Sequence, residues 1–123
     1  MEIYGREYSF RLTVGAACDI AELCPDKQLQ NFGKLLAGAG FGSATEGRAA
    51  FICALSRGEE EARAFETPGY KPEPITPELL RALSLKEFGQ ALAEATEAFA
   101  SGLETTVGVA PDKKKDAGDT GSR

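Results

Sequence analysis

Polar and apolar residues alternate near the amino terminus with a period of two, which is the period of a half-buried β-strand. The apolar positions of this pattern are Tyr8, Phe10, Leu12 and Val14. Gly5 precedes them and can adopt the positive φ that the first position of a type II′ turn requires. The pattern therefore predicts a β-hairpin in which residues 3–4 pair with a strand over residues 7–14. Because a lone hairpin is only marginally stable in water, its apolar face should cover helices.

The spacing of apolar residues changes to that of a helix after Gly15. A short helix is predicted up to Cys24, where Pro25 ends it and can open the next helix at its first position. That next helix would place four apolar residues on one face, namely Leu29, Phe32, Leu35 and Leu36.

Residues 43–46, with the sequence Ser-Ala-Thr-Glu, match a capping box and predict that a helix starts at Ser43. Gly58 is expected to bend or end this helix, because glycine is unfavourable in a helix interior. The three glutamates at residues 59–61 are then predicted to form the solvated start of a further helix. Successive helical residues point about 100° apart, so these carboxylates cannot converge on one metal ion.

Three prolines within residues 67–74 predict an extended spacer. Thr76 is expected to cap a short helix that has Pro77 at its first position. Residues 84–87 form a second capping box, which opens the longest predicted helix, running to about Leu103. The apolar positions of this helix recur at spacings of three and four and form a narrow stripe of Leu85, Phe88, Leu92, Ala95 and Phe99.

Together these elements predict an α+β fold that is mostly α, with an N-terminal β-hairpin packed on a small bundle of helices. The predicted globular domain covers residues 1–104 of the 123. At Thr105 the composition changes to charged, glycine and other small residues, which bury too little apolar surface to offset the entropy of ordering. Residues 105–123 are therefore predicted to form a flexible, disordered and charged tail.

The overall composition argues against several classes of function. The formal net charge is −5, and an acidic chain does not attract phosphate backbones, so no nucleic-acid partner is expected. The chain has no histidine, which removes the commonest general base and the commonest metal ligand. No segment approaches the roughly 20 apolar residues of a membrane helix, so no membrane partner is expected and the predicted location is the cytoplasm.

The remaining reactive groups do not form a recognisable site. The three cysteines lack a C-x-x-C pair, and Cys18 and Cys53 lie among apolar residues, which favours buried free thiols in a reducing cytosol over a zinc site. The glycine-rich residues 38–42 follow a helix and lack the Gly-Lys-Ser/Thr ending of a phosphate-binding loop. We therefore predict no catalytic, cofactor-binding or metal-binding residues, and a protein that is not an enzyme.

The longest predicted helix offers a surface for protein binding instead. Its candidate partner-binding stripe consists of Leu85, Phe88, Leu92 and Phe99. The same stripe could pack inside its own domain, and the sequence leaves both alternatives open.

The order of these segments carries a resemblance to a known family. The hairpin sequence MEIYGREY at residues 1–8 leads into the helical sequence VGAACDIAELCP at residues 14–25, and further helices and a charged tail follow. Over most of residues 1–104 this arrangement resembles the tail assembly chaperones of long-tailed bacteriophages and prophages. The resemblance implies a non-enzymatic assembly factor that binds the tape-measure protein and keeps it soluble in the host cytoplasm. It supplies no matched binding residue.

A run of three lysines at residues 113–115 is consistent with a second property of that family. Many such chaperones are made in two lengths through a programmed −1 ribosomal frameshift, and a slippery heptamer of the form A-AAA-AAR needs consecutive lysine codons. The longer form would recruit the tail-tube protein. A solubilising run of charge is the alternative explanation of these lysines.

Two other classes of protein fit the same pattern. One is a small bacterial regulatory or adaptor protein that acts through helix-mediated protein binding, and the other is a structural subunit such as a head–tail connector. A tape-measure gene directly downstream would favour the chaperone. The sequence also leaves open whether the chain forms a homo-oligomer.

Overall fold

The computed structural model describes residues 1–38 and 40–108, with side chains through residue 104. The described chain is mostly helical, and a short antiparallel β-hairpin packs on the helices, which confirms the predicted fold class. In chain order the elements are β1 (Glu2–Ile3), β2 (Arg6–Glu7), α1 (Val14–Leu23), α2 (Phe32–Ala37), α3 (Phe41–Glu66), α4 (Pro77–Arg81) and α5 (Leu85–Gly108). Two short 3₁₀ turns, Pro25–Lys27 and Leu29–Asn31, connect α1 to α2.

The hairpin turn lies one residue earlier than predicted. β1 and β2 pair antiparallel, with Ile3 opposite Arg6. The two turn residues, Tyr4 and Gly5, both have positive φ, at 48° and 81°. This is the geometry of a type I′ turn and not of the predicted type II′ turn, and it matches the right-handed twist of the paired strands.

The long strand predicted over residues 7–14 is wrong for most of its length. Tyr8 still continues the hairpin, because its backbone exchanges hydrogen bonds with that of Met1 at 2.8 and 2.7 Å, but residues 9–13 belong to no strand. Instead, the backbone N–H of Arg11 donates to the carbonyl oxygen of Leu55, in the middle of α3, at 3.1 Å. Tyr8 is buried against the core, so the alternating pattern reflects a chain that lies across a helix and not a sheet.

The predicted short helix after Gly15 is confirmed as α1, although it begins at Val14. Thr13 caps it by accepting a hydrogen bond from the backbone N–H of Ala16 at 3.1 Å. Pro25 opens a 3₁₀ turn in which Asp26 has a φ of 59°. This left-handed residue interrupts the single continuous helix that was predicted between Pro25 and the end of α2.

Helix α3 is one continuous helix of 26 residues, where the sequence predicts two. Its N-cap is Gly40, so Ser43 lies inside the helix and the predicted capping box at residues 43–46 is wrong. Gly58 lies in the helix without ending it. Packing requires a glycine there, because a Cβ at Gly58 would lie 2.3 Å from the carbonyl oxygen of Arg11 in the extended segment.

Replacing Gly58 with alanine is expected to lower the free energy of unfolding by about 1–3 kcal/mol, because overpacking against a backbone atom outweighs the gain in helix propensity. Gly89→Ala in α5 is the matched control, since a Cβ there meets no atom within 4 Å. It should raise the free energy of unfolding by roughly 0.5–1 kcal/mol. Urea unfolding followed by circular dichroism measures both. Equal stability of the two variants would contradict the close packing of the extended segment on α3.

The local signals for the starts of α4 and α5 are confirmed. Thr76 Oγ1 accepts a hydrogen bond from the backbone N–H of Leu79 at 3.2 Å, and Pro77 is the first residue of α4. The backbone N–H groups of Ser84 and Glu87 each donate to the other residue's side chain, at 3.0 and 3.1 Å. This is the reciprocal capping box that the sequence predicts.

Helix α5 continues to Gly108, past the predicted domain boundary at residue 104. Residues 105–108, predicted as part of the tail, therefore belong to the helix. The rest of the predicted tail, including the lysines at 113–115, lies outside the described residues, so both the flexible tail and the frameshift stay predictions.

The core is built around α3, against which α1, α2 and α5 all pack. Its most completely buried large side chains include Ile20 from α1, Phe51 and Leu55 from α3, and Phe99 from α5. The rings of Phe51 and Phe99 meet edge to face, with centroids 5.2 Å apart. Burial of these apolar side chains is the main force that holds the helices together.

Candidate functional site

An apolar cleft of about 630 Å³ lies between the first half of α3, helix α4 and the start of α5. Its larger apolar lining residues are Phe41, Pro77, Leu80, Leu83, Leu85, Phe88 and Leu92. Its polar lining residues are Thr45, Glu46, Arg48 and Arg81. A mostly apolar concave surface with a few polar groups is the usual form of a binding site.

Helix α4 and the connection that follows it hold one wall of the cleft in place. Leu80 anchors α4 in the core, where it is 4% exposed. The connection from α4 to α5 is tied to the hairpin turn, because the hydroxyl of Tyr4 donates to the carbonyl oxygen of Ala82 at 2.8 Å. The N-terminal hairpin therefore supports the connection between α4 and α5, whose Leu83 lines the cleft.

The rim of the cleft carries apolar side chains that remain exposed. Phe41 at the start of α3 is 73% exposed, and Leu85 at the start of α5 is 74% exposed. Phe88 and Leu92 are half-buried deeper along the wall formed by α5. Large apolar side chains clustered on a surface mark an interaction site more often than isolated ones do.

The structure divides the predicted partner-binding stripe into two parts. Leu85, Phe88 and Leu92 line the cleft. Phe99 is only 1% exposed and, together with Ala95, belongs to the core. The first part of the stripe therefore lines the cleft, where Phe88 and Leu92 also pack partly against the core, whereas its second part lies inside the domain.

Sequence reasoning misses the wall of the cleft that faces α5. Phe41 lies among the glycines of residues 38–42, where no helical periodicity of apolar residues can be seen. Leu83 follows a helix of five residues, which is too short to show a period. The only local signal is an aromatic residue between two glycines, and it becomes informative once α3 is known to begin at Phe41.

Glu59 and Glu60 are buried, which corrects the prediction that they form a solvated helix start. Glu60 is 2% exposed. Its Oε1 accepts hydrogen bonds from Arg6 at 3.2 Å, from the hydroxyl of Tyr70 at 2.7 Å and from the backbone N–H of Glu73 at 2.9 Å. This carboxylate joins the hairpin, α3 and the proline-rich spacer.

A second set of ion pairs lies beside it and also joins distant parts of the chain. Arg11 contacts Glu66 at 2.8 Å and Glu59 at 2.9 Å. Its hydrogen bonds to Glu66 and Glu59 raise the pKa of Arg11, and in turn Arg11 lowers the pKa of Glu66. These ion pairs tie the segment before α1 to the second half of α3. The described part of the chain contains no group of three or more acidic or cysteine side chains placed to hold a metal ion.

The cysteines are free thiols, and none of them lines the apolar cleft. Cys24 and Cys53 are buried, whereas Cys18 is exposed, which corrects its predicted burial. Apolar neighbours in sequence do not place Cys18 inside, because it faces outward from α1. Burial raises the pKa of Cys24, and it raises the pKa of Cys53 to about 11. A buried thiol that stays protonated is a poor nucleophile.

No helix within residues 1–38 and 40–108 combines the length and the apolar character that crossing a membrane requires. Comparison with protein-family models, with curated proteins and with solved structures found no match.

Proposed function

We propose that this chain is a non-enzymatic phage tail assembly chaperone that binds the tape-measure protein in the host cytoplasm, and that it does so through the apolar cleft. The observation that carries the proposal is the exposure of Phe41 and Leu85 on the rim of a cleft whose walls are also apolar. Removing apolar surface from water is favourable by about 25 cal/mol per Å². A partner that covers these side chains would therefore gain stability from contact.

The cleft suits a helical partner better than an extended one. Its walls come from α3, α4 and α5, whose backbone groups are paired within each helix, so an extended peptide would find no strand edge to extend. An amphipathic helix can place its apolar side chains between Phe41 and Phe88 and keep its polar face in water. Helices of a newly made tape-measure protein are the proposed clients.

The proposal requires a tape-measure gene beside the gene for this chain. Co-expression of the two products, followed by co-purification and measurement of the soluble fraction, tests their association. Phe41→Asp should weaken the association at least about tenfold, because a charge placed in an apolar contact loses its hydration without gaining a partner. The fold should survive, since Phe41 is 73% exposed in the unbound chain.

Phe65→Asp is the matched control. Phe65 is on the same helix and is 93% exposed, but it does not line the cleft, so this variant should bind like the wild type. An equal loss of binding in both variants would show that the cleft is not the site. If the wild-type chain neither binds the tape-measure protein nor keeps it soluble, the chaperone proposal is wrong and the adaptor alternative gains support.

A further inference from the structure

The arginines that the structure describes fall into two groups. Among the described residues, four arginines form ion pairs with carboxylates, and these are Arg6, Arg11, Arg57 and Arg63. Arg48 and Arg81 form no ion pair with any described residue, and both line the apolar cleft. Arg48 is held in position because its Nε donates to the carbonyl oxygen of Leu36 at 2.9 Å, and Arg81 is exposed.

Among the described residues, this distribution distinguishes the arginines of the cleft from the other arginines. Its charged lining groups are two guanidinium groups and the carboxylate of Glu46, on a chain whose net charge is −5. A guanidinium group is weakly hydrated and can bind both oxygens of a carboxylate, so an arginine beside an apolar surface is well suited to an ion pair within an interface. Two arginines that have no carboxylate partner among the described residues, in the cleft of an acidic protein, therefore favour an acidic partner.

We propose that the cleft recognises an acidic amphipathic helix. Its apolar residues, spaced three and four apart, would enter the cleft, and aspartate or glutamate on its flanks would face Arg48 and Arg81. This inference rests on the proposed function in taking a protein helix as the occupant, and it adds the charge that selects that helix. A second copy of this chain is the competing occupant, because the chain is itself acidic.

Two fluorescein-labelled peptides of about 18 residues, or about five helical turns, are the probes. Both carry leucines at spacings of three and four, flanked by glutamates in the first peptide and by lysines in the second. Fluorescence anisotropy with the full wild-type chain should show at least about tenfold tighter binding of the glutamate peptide. The difference should shrink as salt is raised towards about 1 M, where charges are screened within roughly 3 Å.

Arg81→Glu should reverse this preference, with at least about tenfold weaker binding of the glutamate peptide and tighter binding of the lysine peptide. Arg81→Lys keeps the positive charge and should keep the preference. Lys71→Glu is the matched control, because it changes the net charge by the same amount at an exposed position of the spacer, outside the cleft. It should leave the preference unchanged.

Equal binding of the two peptides by the wild type would overturn the acidic preference and leave the apolar docking site intact. The acidic preference is also overturned if Lys71→Glu weakens binding of the glutamate peptide as strongly as Arg81→Glu does, because the effect would then come from net charge. Dimerisation in analytical ultracentrifugation that Arg81→Glu abolishes would assign the cleft to a second copy. Failure of both peptides to bind overturns the inference in every case. The cleft also loses its proposed function if Phe41→Asp still binds the tape-measure protein.

Discussion

Replacing Phe99 with alanine is expected to lower the free energy of unfolding by about 3–5 kcal/mol. The side chain of Phe99 is 1% exposed, and its ring lies between those of Phe51 and Phe32, at centroid distances of 5.2 and 4.6 Å. Truncation would remove both ring contacts and leave a cavity where α2, α3 and α5 meet. Urea unfolding monitored by circular dichroism measures the loss.

Two variants on the same helix serve as references for Phe99→Ala. Glu97→Ala changes an exposed residue and should shift the free energy of unfolding by no more than about 0.5 kcal/mol. Phe88→Ala changes a half-buried residue of the cleft, so it should cost less stability than Phe99→Ala but weaken partner binding. If Phe99→Ala is no less stable than Glu97→Ala, the second half of α5 does not belong to the core.

Replacing Glu60 with alanine is expected to lower the free energy of unfolding by about 3 kcal/mol. The variant would leave Arg6, the hydroxyl of Tyr70 and the backbone N–H of Glu73 without the acceptor that they share. The loss should stay below that of a fully buried ion pair, because the side chain of Arg6 is 36% exposed and water can solvate it. Thermal and urea unfolding both measure the effect.

The neighbouring residue provides the control for Glu60→Ala. Glu61 is exposed one position further along α3, so Glu61→Ala should change stability by no more than about 0.5 kcal/mol. Glu60→Gln keeps an oxygen that can accept from Tyr70 but loses the charge, and it should fall between the two alanine variants. Similar stabilities for Glu60→Ala and Glu61→Ala would show that the buried carboxylate does not hold the spacer and the hairpin to α3.

The hairpin contributes to the candidate site although it lies outside the cleft. Tyr4 in its turn holds the connection between α4 and α5 through Ala82, and Arg6 in β2 pairs with Glu60. Both contacts join the first residues of the chain to segments far along the sequence. The cleft is therefore a product of the whole fold and not of one amphipathic helix.

The sequence by itself determined the elements whose signals are local. Thr76 and the Ser84–Glu87 box start α4 and α5 as predicted, because a cap needs only the residues of the first helical turn. The alternation over residues 8–14 indicated a strand, but only Tyr8 continues the hairpin, and Val14 is 83% exposed at the start of α1. It did not identify the partner, because an alternating pattern indicates which side chains face inward but not whether they face a sheet or a helix.

Only the tertiary structure decided the features that depend on distant contacts. Gly58 lies inside α3 and does not end it, and a glycine is needed there because the segment before α1 crosses the helix and leaves no space for a Cβ. Glu60 is buried because the hairpin and the spacer supply its hydrogen-bond donors from both sides in sequence. The stripe on α5 separates into a cleft half and a core half because α4 leaves Leu85 exposed while α2 and α3 enclose Phe99. Local spacing specifies the face of a helix, but which part of that face is covered depends on where the other helices pack.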